Sequence, residues 1–191
     1  MSNGNWEIIS ERSISYAKDN NKNNVKLACI LAYYKGEKFI KEQIQSIIDQ
    51  DNEDVVISLF ISDDDNKGKF PSLKCLDLIN LEKINIFYRR TKINNGYTKN
   101  FLTALNQIES DFDYFCFSDQ DDIWNKWKIN RSIECLKKFR NNLPSLYLGR
   151  TDYYNEKCSV KLGSSTLFKK KPGFRNAIIQ NMAGGNTMFF N

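Results

Sequence analysis

The feature that most constrains the fold of this chain is an alternation between short apolar runs and segments whose apolar residues recur at helical spacing. The apolar runs occupy residues 25–32, 55–62, 84–88 and 114–118. Strands that alternate with helices pair in parallel, because each helix carries the chain back across the sheet. The sequence therefore predicts an α/β domain with a mostly parallel sheet flanked by helices.

The helices and the ends of the domain are predicted from the same pattern. In three segments the apolar residues fall on one helical face; these segments are 37–49, 97–109 and 126–140. After Pro144 the pattern weakens, and short strands are expected at 145–149, 164–168 and 186–190. Residues 1–24 are polar and end in an Asn-rich stretch, so we expect a flexible leader followed by a single domain over 25–191.

Composition limits the chemistry of the chain. Histidine is absent, which excludes Ser/His/Asp and Cys/His catalytic triads and removes the commonest metal ligand. Any bound metal must therefore be held by oxygen. The five cysteines form no close pair in the sequence, so we expect reduced thiols and no zinc site.

Charge and hydropathy limit the partners. A formal net charge of +5 comes from scattered Lys and Arg, and nucleic acid is not an expected partner. No apolar run approaches the roughly 20 residues that cross a bilayer, and the first residues lack a signal-peptide layout. A cytoplasmic location is expected. Lys169, Lys170, Lys171 and Arg175 raise the prospect of peripheral contact with the inner face of a membrane; a solvated loop is the alternative.

Polar clusters follow the predicted strands where each strand ends. They lie at 33–36, 62–66, 89–90 and 118–122. In open α/β sheets, ligands bind beyond the carboxyl ends of the strands. The sequence therefore predicts one binding edge to which all four clusters contribute.

Three aspartates in four residues dominate the last cluster. Asp119, Asp121 and Asp122 follow a predicted strand directly. Carboxylates this close repel one another unless a cation or several donors compensate, and Mg²⁺ or Mn²⁺ binds through one or two carboxylates with phosphate oxygens completing its shell. The alternative is that these aspartates cap the next helix or are solvated in a loop.

Three other features are candidates for ligand contacts. Carboxylates at Asp63 and Asp64 can accept from an N–H group of a base or sugar, although acidic turns are also common after strands. Tyr34 can stack on a ring, whereas packing at the edge of the core is the alternative. Asn95 and Gly96 indicate a turn before a helix, whose N-terminus offers backbone N–H groups to a phosphate.

Taken in order, five segments carry a family resemblance. Each segment matches a motif of that family. The segment 31–40 (LAYYKGEKFI) matches LATYNGEKYI, 61–64 (ISDD) matches ISDDGS, and 96–101 (GYTKNF) matches G..KNF. The segment 117–124 matches FSDQDDIW along its whole length, and 184–191 (GGNTMFFN) matches GCTMAFN. The chain thereby resembles family 2 glycosyltransferases of the GT-A fold over residues 26–191, and most closely a bacterial rhamnosyltransferase-like subgroup. The resemblance implies a Rossmann-like GT-A domain.

The resemblance also implies an activity and a set of site residues. The activity is inverting transfer of a sugar from a UDP- or dTDP-sugar to a glycan or lipid-linked acceptor, in the assembly of cell-surface polysaccharide, with Mn²⁺ or Mg²⁺ as cofactor. The implied metal ligands are Asp119 and Asp121, which form the D-x-D pair. The implied nucleotide-sugar contacts are Tyr34, Asp63, Asp64, Asn95, Gly96, Lys99, Asp119 and Gln120.

The sequence departs from the family pattern at several positions. Tyr33 replaces the usual Thr or Ser, Lys35 replaces Asn, and Asp65 with Asn66 stands where Gly-Ser is expected. The family continues beyond the final motif with a segment that supplies the general base, and we expect this acceptor-side segment to be lacking. Asp152 is a substitute candidate for the base.

The sequence is also compatible with two alternatives to a glycosyltransferase. One is a non-catalytic module that binds a nucleotide sugar. The other is a nucleotidyltransferase, which also combines an α/β fold with a carboxylate metal site. Such an enzyme is expected to carry a Gly-rich phosphate loop after the first strand, and residues 34–37 match that loop poorly.

Overall fold

The structure is a computed structural model. It describes residues 6–10, 24–50, 52, 54–67, 77–109, 111–139, 143–167, 173 and 184–191. The cluster of Lys169, Lys170, Lys171 and Arg175, for which membrane contact and a solvated loop are the two alternatives, lies outside the described residues.

Nine strands and three helices form the described fold. The strands are β1 (Glu7–Ser10), β2 (Val25–Tyr33), β3 (Val55–Asp63), β4 (Asn85–Arg90), β5 (Tyr114–Ser118), β6 (Leu146–Leu148), β7 (Asp152–Tyr154), β8 (Lys161–Ser164) and β9 (Met188–Phe190). The helices are α1 (Ile40–Ile48), α2 (Tyr97–Leu105) and α3 (Lys128–Leu136). All four apolar runs form strands and all three predicted helices are present, so the α/β prediction is confirmed.

Seven strands form one mixed sheet in the order β1-β4-β3-β2-β5-β9-β6. The four central strands β4, β3, β2 and β5 are parallel, whereas β1 and β9 run antiparallel to their neighbours. Strands β7 and β8 pair separately as a two-stranded sheet. The central strands read as continuous apolar runs because helices cover both faces of a parallel sheet.

Helix α1 shows why the predicted periodicity holds. Ile40, Ile44 and Ile47 are fully buried, and their spacing of four and three residues places them on one face. They pack in the main core with Leu27 and Leu31 of β2. Burial of each side chain stabilises the fold by roughly 1.5–3 kcal/mol.

The structure differs from the prediction in the segment 1–24. Within it, β1 pairs with β4 at the edge of the sheet, so the expectation of a flexible leader does not hold for Glu7–Ser10. The cause is Trp6, whose ring meets Phe60 edge-on at 5.0 Å between centroids and whose indole nitrogen donates to the carbonyl of Gln107 at 3.3 Å. One aromatic residue in a polar stretch anchors this strand.

The remaining differences concern short strands. Strand β8 covers Lys161–Ser164 rather than 164–168, and β7 was not predicted. These strands form a hairpin in which Tyr153 and Leu162 are exposed, so they lack the buried face that gives a strand its apolar alternation.

Strand register brings the carboxyl ends of the central strands to one edge. Tyr33 pairs with Asp63 across β2 and β3, and Asp63 pairs with Arg90 across β3 and β4. Leu31 pairs with Ser118 at the end of β5. The predicted convergence of these strand ends at one edge of the sheet is therefore confirmed. None of the helices in the described part of the chain has the length and apolarity of a transmembrane helix.

Candidate functional site

A cavity of about 470 Å³ opens beyond the carboxyl ends of β2 and β3. The lining residues come from the loops that follow these strands and from the loop before α2: Tyr34, Lys35, Asp65, Asn66, Lys67 and Asn94. The ammonium group of Lys35 lies 5.1 Å from the centroid of the Tyr34 ring. The cavity combines an aromatic face, a carboxylate, two ammonium groups and two amides, a set that suits a polar ring system.

The carboxylate of Asp63 is engaged within the protein. It is fully buried, and its Oδ2 atom accepts from the Tyr88 hydroxyl at 2.7 Å and from Arg90 at 3.0 and 3.1 Å. Its Oδ1 atom accepts from the Asp65 backbone N–H at 2.8 Å. Burial, together with the hydrogen bond to Asp63, raises the pKa of Tyr88. Asp63 thus fixes the turn that carries Asp65 into the cavity.

Asp64 holds the loop before α2. Its carboxylate accepts from the backbone N–H groups of Asn95 and Gly96, each at 2.8 Å, and from the Thr91 hydroxyl at 2.8 Å. Gly96 has a φ of 74° and precedes the first residue of α2, a conformation that favours glycine. The predicted contacts Asn95 and Gly96 therefore have their backbone N–H groups directed at Asp64. Lys99 is exposed on the first turn of α2.

Gln120 joins the acidic loop, residues 119–122, to the loop after β2. Its side-chain oxygen accepts from the Tyr34 backbone N–H at 2.8 Å, and its nitrogen donates to the Tyr34 carbonyl at 3.1 Å. A methyl group at Gly36 would lie 2.4 Å from this side chain. A side chain at this position would therefore have to displace the Gln120 side chain.

The three aspartates of the acidic loop (Asp119, Asp121 and Asp122) have different surroundings. Asp119 is half-buried, and no donor among the described residues reaches its carboxylate. Burial raises its pKa from 3.8 to about 6, with added contributions from the charges of Asp122 and Asp121. Asp121 is exposed. Asp122 accepts a hydrogen bond from the side-chain amide of Asn186.

These surroundings decide whether a metal fits. The described residues contain no group of three or more acidic or thiol side chains arranged to hold an ion. Two hard oxygen donors, Asp119 and Asp121, are available, and a raised pKa marks a carboxylate whose negative charge is poorly compensated. Such a pair fits a Mg²⁺ or Mn²⁺ ion whose shell is completed by water and phosphate oxygens.

A polar stripe along α1 supports the acidic loop and was not predicted. Gln43 and Ser46 lie on the buried face of the helix, and Gln50, two residues after the end of α1, is buried beside them. The Ser46 hydroxyl accepts from the Trp124 backbone N–H at 2.9 Å, and the Gln50 amide nitrogen donates to the carbonyl of Asn125 at 3.1 Å. Polar residues at helical spacing within an apolar face were the signal available in the sequence.

A second unpredicted feature is a buried network centred on Arg89. Its Nε atom donates to the Ser62 hydroxyl at 2.9 Å, and its Nη2 atom donates to the Asn100 carbonyl at 3.4 Å. The guanidinium also lies 5.0 Å from the Trp6 ring. Burial lowers the pKa of Arg89 to about 10. Arg89 therefore points into the fold, whereas Arg90 pairs with Asp63.

Asp152, the candidate base, lies on β7 of the separate hairpin. Its carboxylate accepts from the Ser164 hydroxyl at 2.5 Å and forms an ion pair with Lys161 at 2.9 Å. The Ser164 hydrogen bond, followed by the bond from Lys161, lowers the pKa of Asp152. A lowered pKa weakens a carboxylate as a proton acceptor.

Comparison with known proteins identifies relatives of this chain. The family model described as glycosyl transferase family 2 matches residues 28–190. The dTDP-rhamnosyl transferase RfbG of Shigella flexneri is 41% identical over 109 residues, which are 56% of this chain and 36% of that protein. The chain thus spans little more than a third of this relative.

Solved structures share the fold. TarS 1-349 of S. aureus, in complex with UDP, gives a TM-score of 0.50 at 23% identity and covers 60% of this chain and 32% of that one. A second structure of S. aureus TarS gives a TM-score of 0.50 at 24% identity, covering 60% of this chain and 20% of that one.

Proposed function

The chain belongs to glycosyl transferase family 2, and on that premise we propose that it binds a nucleotide-diphosphate sugar and transfers the sugar, with inversion, to a glycan or lipid-linked acceptor. The convergence of the β2, β3 and β5 ends supports this proposal most directly. Because these strand ends converge, the cavity beside Tyr34 lies next to the acidic loop. The Gln120 side chain connects the two by hydrogen bonds of 2.8 and 3.1 Å to the Tyr34 backbone N–H and carbonyl.

The cavity is the proposed site of the nucleoside. The exposed ring of Tyr34 offers a stacking face, and Asp65, Asn66 and Asn94 offer hydrogen-bonding groups. Asp63 and Asp64 act here by holding the cavity walls, since their carboxylates are engaged by Arg90 and by the loop before α2. A uridine or thymidine diphosphate is the proposed donor, and the name of the 41% identical relative favours thymidine.

The acidic loop is the proposed site of the diphosphate. Asp119 and Asp121 would hold a divalent cation, Mn²⁺ or Mg²⁺, which when bound supplies positive charge to the leaving diphosphate. In the transfer, the bond between the anomeric carbon and the diphosphate oxygen breaks, and the acceptor hydroxyl oxygen bonds to that carbon. The hydroxyl proton passes to a base. Asp152 receives little support for that role, because its carboxylate is paired with Lys161.

Calorimetric titration tests the proposal. We expect dTDP or UDP to bind in the presence of Mn²⁺ and to bind much more weakly with a chelator present. Asp121→Ala should abolish the metal-dependent part of binding. Asp54→Ala, an exposed aspartate before the first residue of β3 and thus at the opposite end of that strand, is the matched control. Failure of dTDP, UDP and GDP to bind under any of these conditions would overturn the proposal.

A further inference from the structure

Lys35 and Asp65 reach the nucleoside cavity from two neighbouring loops. Each lies two residues beyond the Tyr33–Asp63 pair of β2 and β3, and adjacent strands are about 5 Å apart. Both residues line the cavity. The hydrogen bond to Tyr34 is the main cause that raises the pKa of Lys35, and the charge of Asp65 adds to it. An ammonium donor and a carboxylate acceptor are therefore neighbours at the cavity.

Among the three consecutive aspartates 63–65, the cavity is lined by Asp65. Asp63 and Asp64 are buried and accept hydrogen bonds from Arg90 and from the loop before α2. The Asp65 carboxylate accepts the Lys67 backbone N–H at 3.1 Å. This bond fixes the carboxylate at the cavity and uses one of its roughly four acceptor positions.

We propose that Lys35 and Asp65 together determine which base the cavity accepts, by selecting a ring that carries an N–H group beside a carbonyl group. This inference rests on the proposed binding of the nucleoside in the cavity. A carboxylate only accepts, so Asp65 pairs with the ring N–H. An ammonium group only donates, so Lys35 pairs with the neighbouring carbonyl. Uracil, thymine and guanine present this edge.

The same pair of side chains disfavours bases with the opposite edge. Cytosine and adenine carry a ring nitrogen that accepts, beside an exocyclic amino group that donates. Such a ring would place two acceptors together at Asp65 and two donors together at Lys35. A site discriminates strongly against an analogue that leaves its polar groups unpaired. The wild-type protein should therefore bind UDP about 100-fold more tightly than CDP.

Calorimetric titration of UDP and of CDP, at one concentration of Mn²⁺, tests the inference. In Asp65→Asn the amide oxygen can still accept the Lys67 N–H, whereas the amide nitrogen donates where a carboxylate oxygen accepted. We expect this variant to bind UDP about 30-fold more weakly and CDP more tightly than wild type. Asp54→Asn is the matched control and should keep the wild-type ratio, because Asp54 is exposed and precedes β3 at the opposite end of that strand.

Lys35→Asn tests the other half of the pair and serves if Asp65→Asn is unstable. Loss of the ammonium group should weaken UDP binding about tenfold and leave CDP binding no weaker. Lys38→Asn, at an exposed position nearby, is its control. Equal losses of UDP and CDP binding in either variant would overturn the inference, because a purely structural role lowers both affinities alike. A wild-type protein that binds UDP and CDP equally well would also overturn it. The proposed function fails by a different result, the absence of any nucleotide binding to wild type with Mn²⁺.

Discussion

The Gln120 side-chain amide hydrogen-bonds to both the backbone N–H and the backbone carbonyl of Tyr34. It makes the two bonds that the backbone of a neighbouring strand would otherwise make. The two bonds measure 2.8 and 3.1 Å, and they require the Gln120 amide to lie against Gly36. The nucleoside cavity and the acidic loop are therefore mechanically linked through one amide. A disturbance on either side of this contact is expected to reach the other.

Gly36→Ala should displace the Gln120 side chain, since the new methyl group would lie 2.4 Å from it. Loss of the two hydrogen bonds is expected to lower the free energy of unfolding by about 1–2 kcal/mol. Gln120→Ala should cost a similar amount, and the double variant little more than either single variant, because the same contact is lost. Urea unfolding of the four proteins measures this cycle. Additive losses would show that the two residues act independently.

Lys35 adopts a left-handed conformation with a φ of 49°, which is unfavourable for a side chain of this type and tolerated better by asparagine. Lys35→Asn is therefore expected to raise the midpoint of thermal unfolding by about 2–4 °C. Lys38→Asn, an exposed lysine close by in the same loop without a positive φ, is the control. Equal midpoints for the two variants would contradict the strain argument.

Ionisation of Asp119 is predicted to destabilise the fold in the absence of metal. Its pKa rises from 3.8 to about 6 on folding, so between these pH values the folded protein holds a proton that the unfolded chain has released. The free energy of unfolding should fall as pH rises through this window. The full penalty applies above it: the shift corresponds to about 3 kcal/mol, which the partial exposure of Asp119 reduces to about 2 kcal/mol. Asp119→Asn should lack this fall.

Denaturant unfolding from about pH 4 to pH 8 in a chelator measures the effect. The difference between Asp119→Asn and wild type should grow with pH and then level off above about pH 7. Asp54→Asn, at an exposed position, is the matched control. A difference between Asp119→Asn and wild type that does not change with pH would refute the assigned pKa.

The convergence of the strand ends at the candidate site was predictable from the sequence, whereas the direction of several side chains was not. The apolar runs fixed where β2, β3 and β5 end, and the register of parallel strands brought those ends together. Apart from the Asp65 N–H, the donors to the carboxylates of Asp63 and Asp64 lie 25 to 32 positions further along the chain. A sequence pattern at a strand end does not say whether a carboxylate turns toward a ligand or toward such distant donors.

The same limit explains why the Arg89 network and strand β1 were missed. Arg89 and Arg90 are adjacent in the sequence, and alternation along β4 sends one into the fold and the other to Asp63. Strand β1 depends on Trp6, which packs against Phe60 of β3. Neither contact has a local signal, because each joins segments that are far apart in the chain.

Arg89→Lys is expected to lower the free energy of unfolding by about 1–3 kcal/mol, because an ammonium group cannot reproduce the fork that reaches both Ser62 and Asn100. Arg131→Lys, at an exposed position on α3, is the matched control and should be close to neutral. Urea unfolding measures both variants. Equal stability of the two would show that the guanidinium contacts contribute no net stabilisation.

Asp64 is predicted to be the residue that orders the loop before α2. Its carboxylate receives the backbone N–H groups of Asn95 and Gly96, each at 2.8 Å, and bonds of this kind to a charged acceptor are worth roughly 1.5–3 kcal/mol. Asp64→Asn keeps the size of the side chain and removes its charge. The amides of Asn95 and Gly96 should then exchange with deuterium about tenfold faster.

Asp113→Asn is the control, because Asp113 accepts the Lys26 N–H at 2.7 Å beside the first residues of β2. This variant should speed exchange at that end of β2 alone. Exchange at Asn95 and Gly96 that is the same in wild type and Asp64→Asn would show that the loop is ordered by other contacts.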